Sequence, residues 1–259
     1  MKHSRNELVD EPAASVFPDV VPAVASERLR APDSAELDAR LRAGASSTAG
    51  RRMELPDTTA VQGHLRATTL TVKNMHQFGD LYVNFLEARK RTFIDRLHWS
   101  LPQVDGMEFD QYDTPQASWV AIHEYGEVLG GVRLMPTTSR CGIYTYMLRD
   151  AQRGILHDIP TDVLFFEAPV DPSVWEASRL FISDDVPAHR RLYVQTMLMA
   201  QFSKTACEGG ATHVIGIVPA VWSRWLRRLD LDAVPVGPKF SIDGTSSQAA
   251  LFNARKFSN

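Results

Sequence analysis

Cysteine is scarce in this chain: Cys141 and Cys207 are the only two in 259 residues, far apart and without a CxxC pair. That disfavours a disulfide-built secreted scaffold and points to a reduced, cytoplasmic compartment. No apolar run approaches the ~20 residues that span a bilayer, and the first ten residues are charged where a signal peptide would be apolar. The eight histidines include no HxxxH and no Cys/His cluster of ligand spacing, so no metal site is expected. A Walker loop and a GxGxxG are missing, and Ser178 does not stand in a nucleophile elbow, which argues against serine hydrolysis. The net charge of −3 lacks the cationic excess by which nucleic-acid binders neutralise phosphates.

Aromatic residues are nearly absent from the first 66 positions. Phe17 is alone there, among five of the fifteen prolines. So little apolar surface cannot offset the entropy of ordering, which predicts a flexible extension over 1–66. Within it, 34–43 could form a short helix, with Leu37 and Leu41 at i, i+4. From 67 to 259 the composition is globular. Strands are expected at 68–72, 118–123, 128–134, 174–182, 213–218 and 248–252, the second and third joined as a hairpin across Glu124 to Gly126. Helical periodicity covers 74–96, 192–207 and 221–229. These alternate into an α/β or α+β sandwich around one sheet.

Four stretches concentrate charge and aromatics: R-K-R-T-F-I-D-R-L-H-W at 89–99, M-E-F-D-Q-Y-D at 107–113, G-G-V-R-L at 130–134 and W-E-A-S-R-L-F at 175–181. Each has an ordinary explanation. Arg89 over Phe93 is what a surface arginine above a core aromatic would show, and Asp110 and Asp113 are loop residues that commonly cap turns. Arg133, Glu176 and Arg179 are less ordinary, because charges inside apolar strands are costly unless partnered. Together the charges could form one functional cleft.

Their order and spacing resemble the LuxI-type acyl-homoserine-lactone synthases. An Arg, a Phe four later and a Trp six beyond are matched by Arg89, Phe93 and Trp99. An E-x-D-x-Y-D stretch is matched by Glu108, Asp110, Tyr112 and Asp113. An Arg after a glycine-bearing strand is matched by Arg133, and W-E-x-S-R by Trp175 to Arg179. The resemblance covers about 67–255 and makes 67–259 the catalytic domain. It implies a GNAT-like N-acyltransferase fold, a splayed central sheet with helices on both faces. The glycine-rich pyrophosphate loop of ordinary GNAT enzymes is not evident where Ala188-His-Arg-Arg opens the long helix.

The activity so implied joins an acyl group, from acyl carrier protein or coenzyme A, to the amine of S-adenosylmethionine. Lactone closure then releases methylthioadenosine and yields a bacterial quorum-sensing signal. S-adenosylmethionine is a substrate, and no cofactor is implied. Glu176 is the expected general base, directly or through a water. Phe93 and Trp99 would face the sulfonium. Arg89, Asp110, Asp113, Arg133 and Arg179 would shape the substrate pocket, with Asp110 paired to Arg133 and Asp113 to Arg179. In a regular strand Glu176 and Arg179 would point to opposite faces, unless a bulge intervenes. Two basic clusters, Arg224 with Arg227 and Arg228, and Arg190 with Arg191, are solvated faces or docking sites for an acidic acyl carrier. Val218 falls at the expected acyl-pocket position. The alternatives are an N-acyltransferase for another amine, which Phe93 and Trp99 would not serve, and a non-catalytic acyl-thioester-binding protein.

Overall fold

Two tight turns set the sheet's registers. Strands β4 (Ser118–Glu124) and β5 (Glu127–Pro136) pair antiparallel from Glu124 opposite Glu127. Only Tyr125 and Gly126 lie between them, both at positive φ (50° and 89°), as a two-residue hairpin of matching twist requires. Asp243 and Gly244 (46° and 78°) do the same between β8 (Ala233–Ile242) and β9 (Thr245–Asn253). The computed structural model describes residues 30–44, 64–219 and 233–257. In it β1 (Arg66–Leu70), β6 (Val174–Ile182) and β7 (His213–Pro219) complete a seven-stranded sheet of order β1-β4-β5-β6-β7-β9-β8. A separate small hairpin joins β2 (Gln103–Val104) to β3 (Met107–Glu108). β8 is not legible in the sequence, because Pro235, Gly237 and Pro238 read as a loop. An edge strand tolerates them, at the cost of a register break between Pro235 and Lys239.

Helices cover both faces. α4 (Ala188–Glu208) is the crossover between the parallel strands β6 and β7. It buries Val194, Leu198 and Phe202 against Val120, Leu134, Trp175 and Val214. On the opposite face α2 (Leu81–Lys90) packs Phe85 with Trp119 and Phe181 over one half of the sheet. Over the other half, α3 (Met147–Gln152) and α1 (Ser34–Gly44) bury Leu148, Leu37 and Leu41 with Ile215 and Leu251. This is the splayed α/β sandwich expected. The α1 helix differs from its expected setting in a flexible extension, because it is docked. A reciprocal cap starts it: Asp33 Oδ1 accepts the Glu36 N–H at 2.9 Å, and Glu36 Oε2 accepts the Asp33 N–H at 3.0 Å. Leu37 is then fully buried, and Asp38 bonds the buried His213 at 3.0 Å.

Two irregularities position the site. The β6–β7 ladder stops at Ala177 opposite Gly216; beyond it β6 stays with β5 and β7 with β9, so the sheet opens between them. Gly216 permits the last close approach, since a Cβ there would stand 2.5 Å from the Ala177 carbonyl oxygen. The second is a bulge in β6. Arg133 faces Ser178 but Gly131 faces Phe181, so β6 carries one extra residue, and Arg179 sits at φ 55°. Trp175 and Ala177 point toward α4, and unbroken alternation would send Arg179 after them. The bulge turns it to the other face, beside Ser178 and Phe181.

Candidate active site

Arg89 stands in the last turn of α2, and the chain then widens into a π-helical turn over Arg91–Arg96, closed by His98 at φ 56°. Such turns are rare and concentrate at functional sites. This one carries Phe93 inward and returns Trp99 beside it, their ring centroids 5.2 Å apart. The hairpin β2–β3 then delivers Glu108, and the loop after it Asp110 and Asp113. That loop is self-tied: Asp113 Oδ2 accepts the Asp110 N–H and Asp110 Oδ1 the Tyr112 N–H, both at 2.9 Å.

Arg89, Arg133 and Arg179 meet Glu108, Asp110 and Asp113 in one ionic cluster. Arg89 holds Asp113 with two nitrogens (2.7 and 3.1 Å) and Glu108 through Nε and Nη2. Arg133 holds Asp110 with two nitrogens (2.5 and 3.1 Å), Asp113 at 3.0 Å and the Ser178 hydroxyl at 3.0 Å. Arg179 reaches Glu108 at 3.1 Å and Asp110 at 2.9 Å. The Asp110–Arg133 pair is as expected, whereas Asp113 does not pair with Arg179. Asp113 is taken by Arg89, Arg133 and the Trp119 indole N–H (2.9 Å), because the β6 bulge aims Arg179 at Glu108 and Asp110. Arg89 and Arg133 are fully buried, so the cluster rests on complete partnering. Burial opposes ionisation of Asp113, yet Arg133 and Arg89 hold its carboxyl far below the usual range. Arg133 and Arg179 likewise overcome burial at Asp110. Neither carboxylate is a proton acceptor near neutrality; both are fixed charges.

A cavity of about 830 Å³ opens where β6 and β7 part. On the α2 side its lining includes Phe93 and Trp99, with Asp110 and Arg179; on the α3 side it includes Met147, Leu156, Ile159, Ile217 and Ile242. Phe93 is 5% exposed and carries the Arg179 guanidinium 5.7 Å from its ring centroid. Of the expected pocket residues, then, Phe93, Trp99, Asp110 and Arg179 reach the cavity. Arg89, Asp113 and Arg133 lie behind them and hold Asp110 and Arg179 in place.

Glu176 lies beneath the cavity floor, fully buried. Its two oxygens accept the N–H groups of Met147 (2.9 Å) and Leu148 (2.8 Å), which open α3. Burial pushes its carboxyl up to about 7, against the pull of those two amides and of Arg133. Glu176 does not line the cavity, whereas Met147, whose N–H it accepts, and Ser178 do, so any proton it takes from there is relayed.

Val218, expected in the acyl pocket, instead packs in the α4 layer, and its neighbours Ile217 and Pro219 line the cavity. The period of two decides this: Val214 already faces α4, so Val218 must as well. Arg190 and Arg191 diverge. Arg190 is turned to Glu124 (3.0 Å), while Arg191 stands at the cavity's rim with Arg96, both paired to Asp184. Arg224, Arg227 and Arg228, with the helix expected over 221–229, lie outside the described residues. Glu108, Ser178 and Trp119 are site residues that sequence reasoning did not nominate. Glu108 was findable, since it opens the same E-x-D-x-Y-D stretch; Ser178 and Trp119 acquire meaning only from contact. Among the described residues, no group of three or more His, Cys, Asp or Glu could hold a metal, and no helix is long and apolar enough to cross a membrane.

Residues 74–256 match the autoinducer synthase family model. The chain belongs to the autoinducer synthase family. An acyl-homoserine-lactone synthase of Ralstonia solanacearum is 33% identical over 162 residues, covering 60% of this chain and 74% of the relative. The isovaleryl-homoserine lactone synthase of Bradyrhizobium diazoefficiens is 25% identical over 191 residues, covering 72% and 79%. Among solved structures, TofI in a ternary complex with an inhibitor and MTA matches at 27% identity and TM-score 0.57, over 73% of this chain and 91% of that one. The CoA-dependent synthase BjaI with SAM and isopentyl-CoA shares the fold at TM-score 0.60 and 24% identity, over 74% and 84%. In this autoinducer synthase, therefore, the bulge, the parted strands and the ionic cluster stand in an acyltransferase.

Proposed function

We propose that this chain is an acyl-homoserine-lactone synthase, acylating S-adenosylmethionine on its amine and closing the lactone with release of methylthioadenosine. The observation that carries this reading is one cavity with two unlike ends: an aromatic and ionic end at Phe93, Trp99, Asp110 and Arg179, and an apolar end between the parted strands. A sulfonium has no hydrogen to donate, and the Phe93–Trp99 pair suits it, at roughly 0.5–2 kcal/mol per ring face. Arg179 and Asp110, fixed by Arg89, Arg133 and Asp113, orient the methionyl head. The apolar end takes the acyl chain.

The amine attacks the thioester carbonyl and its proton passes by a bridging water to Glu176; the C–S bond then breaks and the sulfur leaves as thiolate. A carboxyl raised to about 7 suits that role, since a base is most effective with a pKa near the working pH. The methionyl carboxylate then displaces methylthioadenosine from the carbon next to sulfur, an intramolecular step in which fixed geometry supplies much of the rate. The acyl donor is a thioester of acyl carrier protein or coenzyme A, entering past Arg96 and Arg191; the isopentyl-CoA bound to BjaI supports the second. The working compartment is the bacterial cytoplasm, where such thioesters are made.

The pure protein incubated with S-adenosylmethionine and a panel of both kinds of thioester should yield an acyl-homoserine lactone and equimolar methylthioadenosine by mass spectrometry. An acylated amine without methylthioadenosine would indicate a plain N-acyltransferase. Binding of a thioester with no turnover by any donor would indicate a non-catalytic protein.

A further inference from the structure

The apolar end of the cavity has a weak wall. Residues 153–173 form neither helix nor strand, yet Leu156 and Ile159 from this stretch line the cavity beside Met147. The stretch is tied where the Phe165 N–H bonds the Val236 carbonyl and where Gln152 bonds Phe166 and Ala168; Leu156 and Ile159 stand outside these ties and depend on what packs against them. Part of that packing comes from α1. Leu37 and Leu41 share one apolar cluster with Met147, Ile159, Val163 and Phe166, against which Leu156, Ile217 and Ile242 also pack. The same cluster thus has α1 on one side and the cavity on the other.

Three polar contacts fix the helix at its place. Ser34 and Ser173 hydroxyls meet at 2.9 Å, Asp38 bonds His213 Nε2 at 3.0 Å, and the Arg40 guanidinium lies 5.1 Å from the Phe166 ring centroid. Two of these three, at Ser173 and Phe166, fall on the irregular stretch itself. The family match begins at residue 74, so the brace lies outside the family's common core.

We propose that α1 braces the acyl wall and thereby sets which acyl chains this enzyme accepts. The inference rests on the synthase reading and deepens it. With α1 undocked, Leu156 and Ile159 lose their backing and the cavity yields to longer or bulkier chains, while the aromatic and ionic end is untouched.

The test compares the full-length wild type with Leu37→Ala/Leu41→Ala on a homologous series of saturated acyl-CoA and acyl carrier thioesters. The expected result is a shift of roughly tenfold in the kcat/KM ratio of the next-longer chain to the preferred one, the lower end of what one methylene is worth in an apolar pocket. KM for S-adenosylmethionine should stay as it was. Should that variant fail to fold, Asp38→Ala/Arg40→Ala, which removes only partly exposed side chains, should move the ratio in the same direction and speed amide hydrogen exchange across 155–159. An unchanged ratio in an active, folded variant overturns the brace and leaves the synthase reading standing. Absence of methylthioadenosine from the wild type with every donor overturns the synthase reading, and the brace's role in selectivity with it.

Discussion

Asp113 makes five contacts: it accepts bonds from Arg89 through both oxygens, from Arg133, from the Trp119 indole and from the Asp110 amide. Removing it leaves two buried guanidinium groups under-partnered. Asp113→Ala should therefore lower stability by about 3–5 kcal/mol, read from the urea midpoint. A midpoint shift below about 1 kcal/mol would show that water takes over its role. Glu176 behaves oppositely. Its carboxyl is raised from 4.5 to about 7, so between those values the folded state binds a proton that the unfolded state has released. Its stabilising contribution is thus whole below about 4.5 and lost as pH rises through about 7. Activity runs the other way, since only the ionised form accepts a proton. kcat/KM should rise with pH through about 7, and Glu176→Gln should lose both that limb and most of the rate. A Gln variant that keeps the limb would remove Glu176 from proton transfer and leave it the anchor of Met147 and Leu148.

At the scale of elements, the site depends on two local departures from regular strand geometry. Gly216 lets β6 and β7 approach once more before parting. A methyl there would stand 2.5 Å from backbone oxygen, which cannot swing aside as a side chain would. Gly216→Ala should cost about 1–3 kcal/mol, and because the strain falls at the mouth of the cleft, turnover should fall further than stability alone accounts for. Equal losses in Tm and activity would place the strain elsewhere. The β6 bulge is the other departure. Deleting Leu180 would restore unbroken alternation past Ser178: Arg179 would turn to the α4 face, away from Glu108 and Asp110, while Phe181 and Ile182 keep their faces. Several elements were marked in the sequence, the β4–β5 hairpin by its turn and α4 by its apolar period and Gly209–Gly210, but α3 and the β2–β3 hairpin are too short to show a period, and the helix expected over 74–96 is divided into three segments. β8 was hidden, because its prolines read as loop until an edge position is known. The Glu176–Arg179 face problem was visible in advance, but which way it would resolve was not.

Across the whole molecule, the ionic cluster links α2, the β2–β3 hairpin, the loop after it, β5 and β6, so acid should loosen the fold through it. Asp110 and Asp113 are held below their ordinary value of 3.8. Their stabilising contribution is present above that value and fades as pH falls through the lowered one. Thermal unfolding should show Tm dropping below about pH 4, and Asp113→Asn should flatten that fall. A Tm insensitive to pH in that range would mean that the cluster contributes little to the fold. Identity and inventory were legible in the residues alone: the family, the sheet with helices on both faces, and most of the residues that would matter. Spacing suffices for these, because periodicity reports burial and ordered motifs report ancestry. Who partners whom was settled by the folded chain. It gave Asp113 to Arg89 and not to Arg179, buried Glu176 against the first amides of α3, sent Val218 to the α4 layer and docked α1 on the apolar cluster under α3. Each of these depends on contacts between distant segments, or on one inserted residue that reverses a strand's alternation, and neither leaves a local pattern to read.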